Sequence, residues 1–61
     1  MLDEFLRLPE VLKATGWSKS EIYRQMAAGN FPASHAYRAN PKKRFWLLSE
    51  VVAWQNLQLI G

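Results

Sequence analysis

Lys19, Ser20, Tyr23 and Arg24 are spaced one, three and four residues apart, which sets them along one side of a helix. Ala27 continues the strip with a small side chain that lets another surface approach closely. Two cations, a hydroxyl and a phenol in this arrangement suit a polyanion. In a DNA major groove, Arg and Lys reach guanine edges while Ser and Tyr reach phosphates. Taken alone, the strip also reads as an ordinary solvated helix face. A second basic group follows: Arg38, Lys42, Lys43 and Arg44, four cations within seven residues, flanked by aromatic side chains. Its plain alternative is a solubilising loop whose lysines protect strand edges. The two groups support one another as a single basic surface.

The elements that must position these residues are written locally. Ser18 is an N-cap, and Glu21 three residues later completes the pattern of a capping box, in which the carboxylate reaches back to the Ser18 N–H. Trp17 and Ile22 have the spacing of a hydrophobic staple. Ile22 and Met26 form the inward stripe, and Gly29 with Pro32 ends the helix, which runs over about 19–28. Before it, Leu8-Pro9-Glu10 opens a helix of about two turns, with Leu8, Val11 and Leu12 inward, Ala14 packed closely and Thr15-Gly16 at its end. Two helices joined by a glycine-containing turn of about three residues make a helix-turn-helix.

After Phe31-Pro32, an anchoring pair, the helical period is lost. Alternation around His35 and Tyr37, a turn at Ala39-Asn40-Pro41, and Lys42 to Leu47 with its aromatic pair predict a β-hairpin with a basic tip, a wing over about 34–47. Phe5–Leu8 could add to it as a third strand, and the residues before it are expected to fray. Ser49 is expected to cap a last helix, Glu50–Leu59, with Val51, Trp54 and Leu57 inward and a broad, diffuse apolar arc that includes Leu59 and Ile60. His35 has no evident partner and reads as a wing surface residue.

Sixty-one residues make one domain, 1–61, which buries only about 60% of its unfolded surface. With no cysteine there is no disulfide or Cys-based zinc site, so three tryptophans, three phenylalanines and two tyrosines must carry the core. No apolar run approaches a membrane span, and the acidic start is unlike a signal peptide, which points to a cytoplasmic protein with no membrane partner. The net charge of +3 is unevenly spread: residues 1–10 carry −2, residues 11–49 carry +6, and residues 50–61 carry −1. The cations therefore belong to the central segment, where a polyanion would face them. One histidine, no paired acids in a cleft and no glycine-rich phosphate loop speak against an enzyme, and no cofactor or metal is expected.

The ordered set Leu8-Pro9-Glu10-Val11, Thr15-Gly16, Ser18-Lys19-Ser20, Ile22-Tyr23-Arg24, Phe31-Pro32, Trp46 and Val52-Ala53-Trp54 resembles the AlpA-type regulators of prophages, which belong with the MerR-like winged-helix excisionases. The resemblance covers about residues 5–57. It implies an α+β winged helix-turn-helix that binds double-stranded DNA, as an activator of integrase genes or as a recombination directionality factor. It places Lys19, Ser20, Tyr23 and Arg24 on a recognition helix, and Arg38, Lys42, Lys43 and Arg44 on a wing that reaches an adjacent backbone or minor groove. Two features depart from the family pattern: Ala39-Asn40-Pro41 stands where many members have a wing glycine, and Leu47-Leu48 where many have a charge. So small a reader is expected to act as several copies on adjacent sites, and an integrase is a further expected partner. The alternative is a small protein-interaction module that binds an integrase or a host protein through its tryptophans.

Overall fold

In the computed structural model, residues 2–59 are described, and they run β1 (Phe5–Leu6), α1 (Leu8–Thr15), α2 (Lys19–Ala27), β2 (His35–Ala36), β3 (Arg44–Leu47) and α3 (Leu48–Gln58). The sheet is antiparallel with β3 in the middle, in the order β1-β3-β2. Phe5 faces Leu47 and Leu6 faces Trp46 on one side of β3, while His35 faces Phe45 and Ala36 faces Arg44 on the other. This is the α+β architecture with a wing-like hairpin expected from the sequence, and the N-terminal segment does supply the third strand.

The core takes one buried apolar side chain from nearly every piece of the chain. Leu6 comes from β1, Val11 from α1, Ile22 from α2, Phe31 from the segment after α2, Trp46 from β3 and Val51 from α3. Leu8, Leu12, Trp17, Met26 and Trp54 pack around them. Because side chains alternate across a strand, β3 sends Trp46 inward and Phe45 outward. Outside, Phe45 stacks on Phe5 at 4.2 Å between ring centroids and meets Tyr37 at 4.5 Å. A second, partly exposed aromatic cluster thus covers the far face of the sheet.

Helix ends follow the local signals, with one change of partner. The Ser18 hydroxyl accepts the Glu21 N–H at 3.3 Å, but the Glu21 carboxylate does not return to Ser18 and instead takes Arg24 and Gln25. The reciprocal carboxylate bond expected there occurs at α1, where Glu10 accepts the Arg7 N–H at 2.9 Å. Gly16 and Gly29, with φ of 74° and 79°, end α1 and α2 in the left-handed conformation. At Gly29 the bonds Gly29 N–H to Met26 O and Asn30 N–H to Gln25 O form a Schellman motif.

α3 corrects the sequence reading more substantially. It begins at Leu48, so Ser49 lies inside its first turn and is not its cap. Its free N–H groups are met by the N-terminal segment: Leu48 N–H donates to Glu4 O at 2.9 Å, Ser49 N–H to the Asp3 carboxylate at 3.2 Å, and the Ser49 hydroxyl to the same carboxylate. Asp3 and Glu4 are therefore held rather than frayed, while Met1 lies outside the described residues. Leu57 is exposed rather than inward, as is Leu59, and Ile60 lies outside the described residues. Ala14 is also exposed, and its carbonyl accepts Gln55 Nε2 at 3.2 Å.

Two indoles hold the segment that leaves α2. Trp46 Nε1 donates to Pro32 O at 3.0 Å, and Trp54 Nε1 donates to Asn30 O at 2.7 Å. Trp46→Phe keeps an aromatic ring in the core but leaves the Pro32 carbonyl without its donor and a small void where the indole was, so stability should fall by at least about 1–3 kcal/mol. A chain of this length has only about 3–9 kcal/mol to lose, so the shift in a urea denaturation midpoint should be large. Asp3 gives the fold an acid-sensitive contact. The Ser49 hydroxyl bond, helped by backbone donors, holds its carboxyl below the ordinary aspartate value of 3.8. The lowered folded-state pKa means the contribution is fully present above that value and is lost as pH falls through the folded pKa. Asp3→Asn should therefore remove part of the acid sensitivity of unfolding below about pH 4 and change little of the pH dependence near neutrality, as measured by thermal melts across pH.

Candidate nucleic-acid interface

α2 presents the expected strip. Lys19, Ser20, Tyr23, Arg24 and Ala27 are all exposed, on a face neighbouring the inward Ile22, because positions three and four apart share a face on a helix. Arg38, Lys42, Lys43 and Arg44 are exposed as well. All eight residues singled out in the sequence therefore reach solvent.

They are not equally free. Arg24 forms two bonds of 2.8 Å to the Glu21 carboxylate. That contact, first with Arg24 and then with Gln25, holds the Glu21 carboxyl below its ordinary value and raises the Arg24 guanidinium further. Arg44 points along the hairpin, with Nε on Ser34 Oγ and one terminal nitrogen on Ser34 O, each at 3.0 Å. It braces the two wing strands. Lys19, Arg38, Lys42 and Lys43 make no side-chain hydrogen bond or ion pair among the described residues.

The wing loop is two consecutive turns. Asn40 N–H donates to Tyr37 O, Lys43 N–H donates to Asn40 O, and Tyr37 N–H closes the loop on Lys43 O. Pro41 stands second in the latter turn, where its fixed φ is suited, and Asn40 Oδ1 accepts the Lys42 N–H at 3.3 Å. The wing base is fixed to α3 by His35, whose Nε2 lies 2.7 Å from Glu50 Oε1, so this histidine does have a partner.

One small cleft lies where Tyr23 of α2 meets the wing. It encloses about 210 Å³ and is lined by Tyr23 from α2, by Lys42, Lys43, Arg44 and Trp46 from the hairpin, and by Arg7, Leu8 and Pro9 at the start of α1. Lys19, Ser20, Arg24 and Arg38 lie outside this lining. Arg7 is the residue that sequence reasoning missed. Counted along the chain, it belongs to an acidic segment. In space, the β1–β3 pairing of Leu6 with Trp46 carries it to the wing. A register for the proposed third strand would have revealed it.

A larger groove of about 820 Å³ lies elsewhere, between the end of α2 and α3, with Trp17, Phe31, Trp54 and Leu57 among its lining. Of the three tryptophans considered for a protein interface, Trp46 is fully buried and cannot serve, whereas Trp17 and Trp54 reach this groove.

The family described as prophage CP4-57 regulatory protein (AlpA) matches residues 4–59. The chain belongs to the AlpA family. It is also similar to the uncharacterized protein ORF88 of Enterobacteria phage P4, with 39% identity over 59 residues that cover 97% of this chain and 65% of that protein. The chain thus spans less than two thirds of the length of that relative. No solved structure matches it. Within this AlpA-family chain, the Asn40-Pro41 pair forms the wing turn without any positive-φ residue, so the wing needs no glycine here.

The Glu21–Arg24 pair makes a prediction of its own. Because the cap uses the Glu21 backbone N–H, Glu21→Gln should leave α2 folded while freeing the guanidinium. In NMR spectra, the Arg24 side-chain N–H signals should exchange faster with water, with little change in backbone shifts at Ser18–Ser20. Unaltered Arg24 signals would show that the ion pair does not hold the side chain.

Proposed function

We propose that this AlpA-family protein is a sequence-specific DNA-binding regulator of a prophage or mobile element. It reads base edges with α2 in the major groove and holds the backbone with its wing. The whole chain acts as a single domain, with no catalytic step. The observation that supports this reading is that Tyr23, on the exposed face of α2, shares a cleft with the wing cations Lys42, Lys43 and Arg44. Within it, Arg24 is the principal base reader, after exchanging Glu21 for a guanine edge. Lys19, Ser20 and Tyr23 line its approach. Lys42, Lys43 and Arg38 contact phosphates or the minor groove, with Arg44 as the brace that keeps them in place.

The biological output is transcriptional control, excision of the element, or both, and the protein acts in the cytoplasm. One small domain buries little DNA, so several copies bind adjacent sites, with exposed Leu57 and Leu59 as a contact between copies. A second reading has its own support in the Trp17–Trp54 groove: a protein partner, such as an integrase, seated there. Loss of function on removing wing lysines favours DNA, while loss on substituting Trp17 in a chain that still folds favours the protein partner.

Phosphate neutralisation should dominate affinity. For about five neutralised phosphates, log K should fall against log salt with a slope of about −4.5. Lys43→Ala should weaken all duplexes about equally, and Arg24→Ala should change sequence preference. Binding titrations over a salt series, on varied duplexes, check both. A complex insensitive to salt, or an unchanged preference for Arg24→Ala, would count against these roles.

A further inference from the structure

Arg7, which lies outside both basic groups of the sequence, shares a cleft with Tyr23, Lys42 and Lys43. These side chains come from three separate parts of the chain: the residue before α1, the outer face of α2, and the wing loop. The cleft holds about 210 Å³, below the range of about 300–1,000 Å³ that small-molecule sites occupy. It suits a single small group.

The electrostatics specify which group. Among the described residues, four cations line the cleft and no acid does. Of the two carboxylates nearest in sequence, Glu10 lies outside the lining and is occupied on the Arg7 backbone N–H, and Glu21 is occupied on Arg24 and Gln25. Arg44 is fixed on Ser34, which leaves Arg7, Lys42 and Lys43 as the lining cations without a side-chain partner among the described residues, with Tyr23 as a hydroxyl donor. Like charges gathered at one place repel, and an anion between them relieves that repulsion. A guanidinium fork beside ammonium groups and a phenol is a donor set for a tetrahedral oxyanion.

We propose that Arg7, Tyr23, Lys42 and Lys43 close around one phosphodiester group of the DNA backbone. This rests on the DNA-binding reading above and deepens it. Because Tyr23 lies on the face of α2 that would enter the major groove, the phosphate held here sets the depth and register of that helix. Arg7 is therefore a positioning contact: it binds the backbone and carries no sequence information itself.

The test uses the full chain and a bound duplex in which one backbone linkage at a time is made a neutral methylphosphonate. Arg7→Ala keeps the backbone N–H that Glu10 holds, so the fold is retained, and circular dichroism confirms it. On unmodified DNA, Arg7→Ala should weaken binding roughly tenfold, the scale of one lost charge-assisted hydrogen bond. Arg7→Lys should recover part of that loss, and sequence preference should not change. One linkage, and the same one, should erase the difference between wild type and Arg7→Ala and that between wild type and Lys43→Ala. Wild-type affinity for Arg7→Ala, or silencing of Arg7 and Lys43 by different linkages, overturns the shared site and leaves the DNA reading standing. Failure of the wild-type chain to bind any duplex overturns both.

Discussion

The burial of one indole governs this small structure. Trp46 lies in the central strand, almost wholly out of solvent, with Leu6 opposite it and its N–H on the Pro32 carbonyl. A chain without disulfides and with so little core must gain much of its stability from a few large side chains. Placing a buried tryptophan on the middle strand ties the sheet to the exit from α2 and sets the indole in one core cluster with Val11 and Ile22 of the first two helices. The bond to Pro32 also removes what would otherwise be an unpaired carbonyl in a partly buried segment. Trp54 repeats the device two residues earlier, on Asn30. The segment between α2 and the wing is thus held by side chains rather than by its own secondary structure. The spatial relation between helix face and wing depends on those two indoles.

That relation sets Tyr23 of α2 beside the wing cations. The exposed face of α2 and the wing loop come together at the cleft that Tyr23 shares with Lys42 and Lys43. The cations within the surface differ in their freedom. Arg44 is consumed in bracing the hairpin, and Arg24 is held by Glu21 until something better displaces it. Lys19, Arg38, Lys42 and Lys43 are available at once. On the proposed DNA-binding reading, this division separates a mobile, non-specific attraction from a directional contact that is exchanged into place. It gives a physical basis for distinct roles in affinity and in discrimination.

Legibility in the sequence followed the range of the interaction. Gly16, Gly29, Ser18 and Pro9 act on neighbours a few residues away, so the helix limits, the tight turn and the outward strip could be read directly. The wing could be read because Asn40-Pro41 specifies a turn locally. What could not be read depended on contacts across the chain. Asp3 caps α3 from forty-six residues away, so Ser49 took a role that belongs to another segment. Arg7 was counted with acidic neighbours because only the strand pairing moves it to the wing. His35 found Glu50 across fifteen residues. The diffuse apolar arc of the last helix had a plain cause: among its described apolar residues only Val51 is deeply buried, while Leu48, Val52 and Leu57 are exposed. No periodic pattern could have indicated a clean inward face where none exists.

The central claim is that α2 and the wing together read a DNA sequence. The most direct measurement is selection of a randomised duplex pool by the purified chain, followed by sequencing of the bound fraction. An enriched motif, repeated at a spacing near one helical turn where several copies bind, is the result expected. Recovery of the pool without enrichment would contradict sequence reading, whether or not weak, salt-sensitive binding persists.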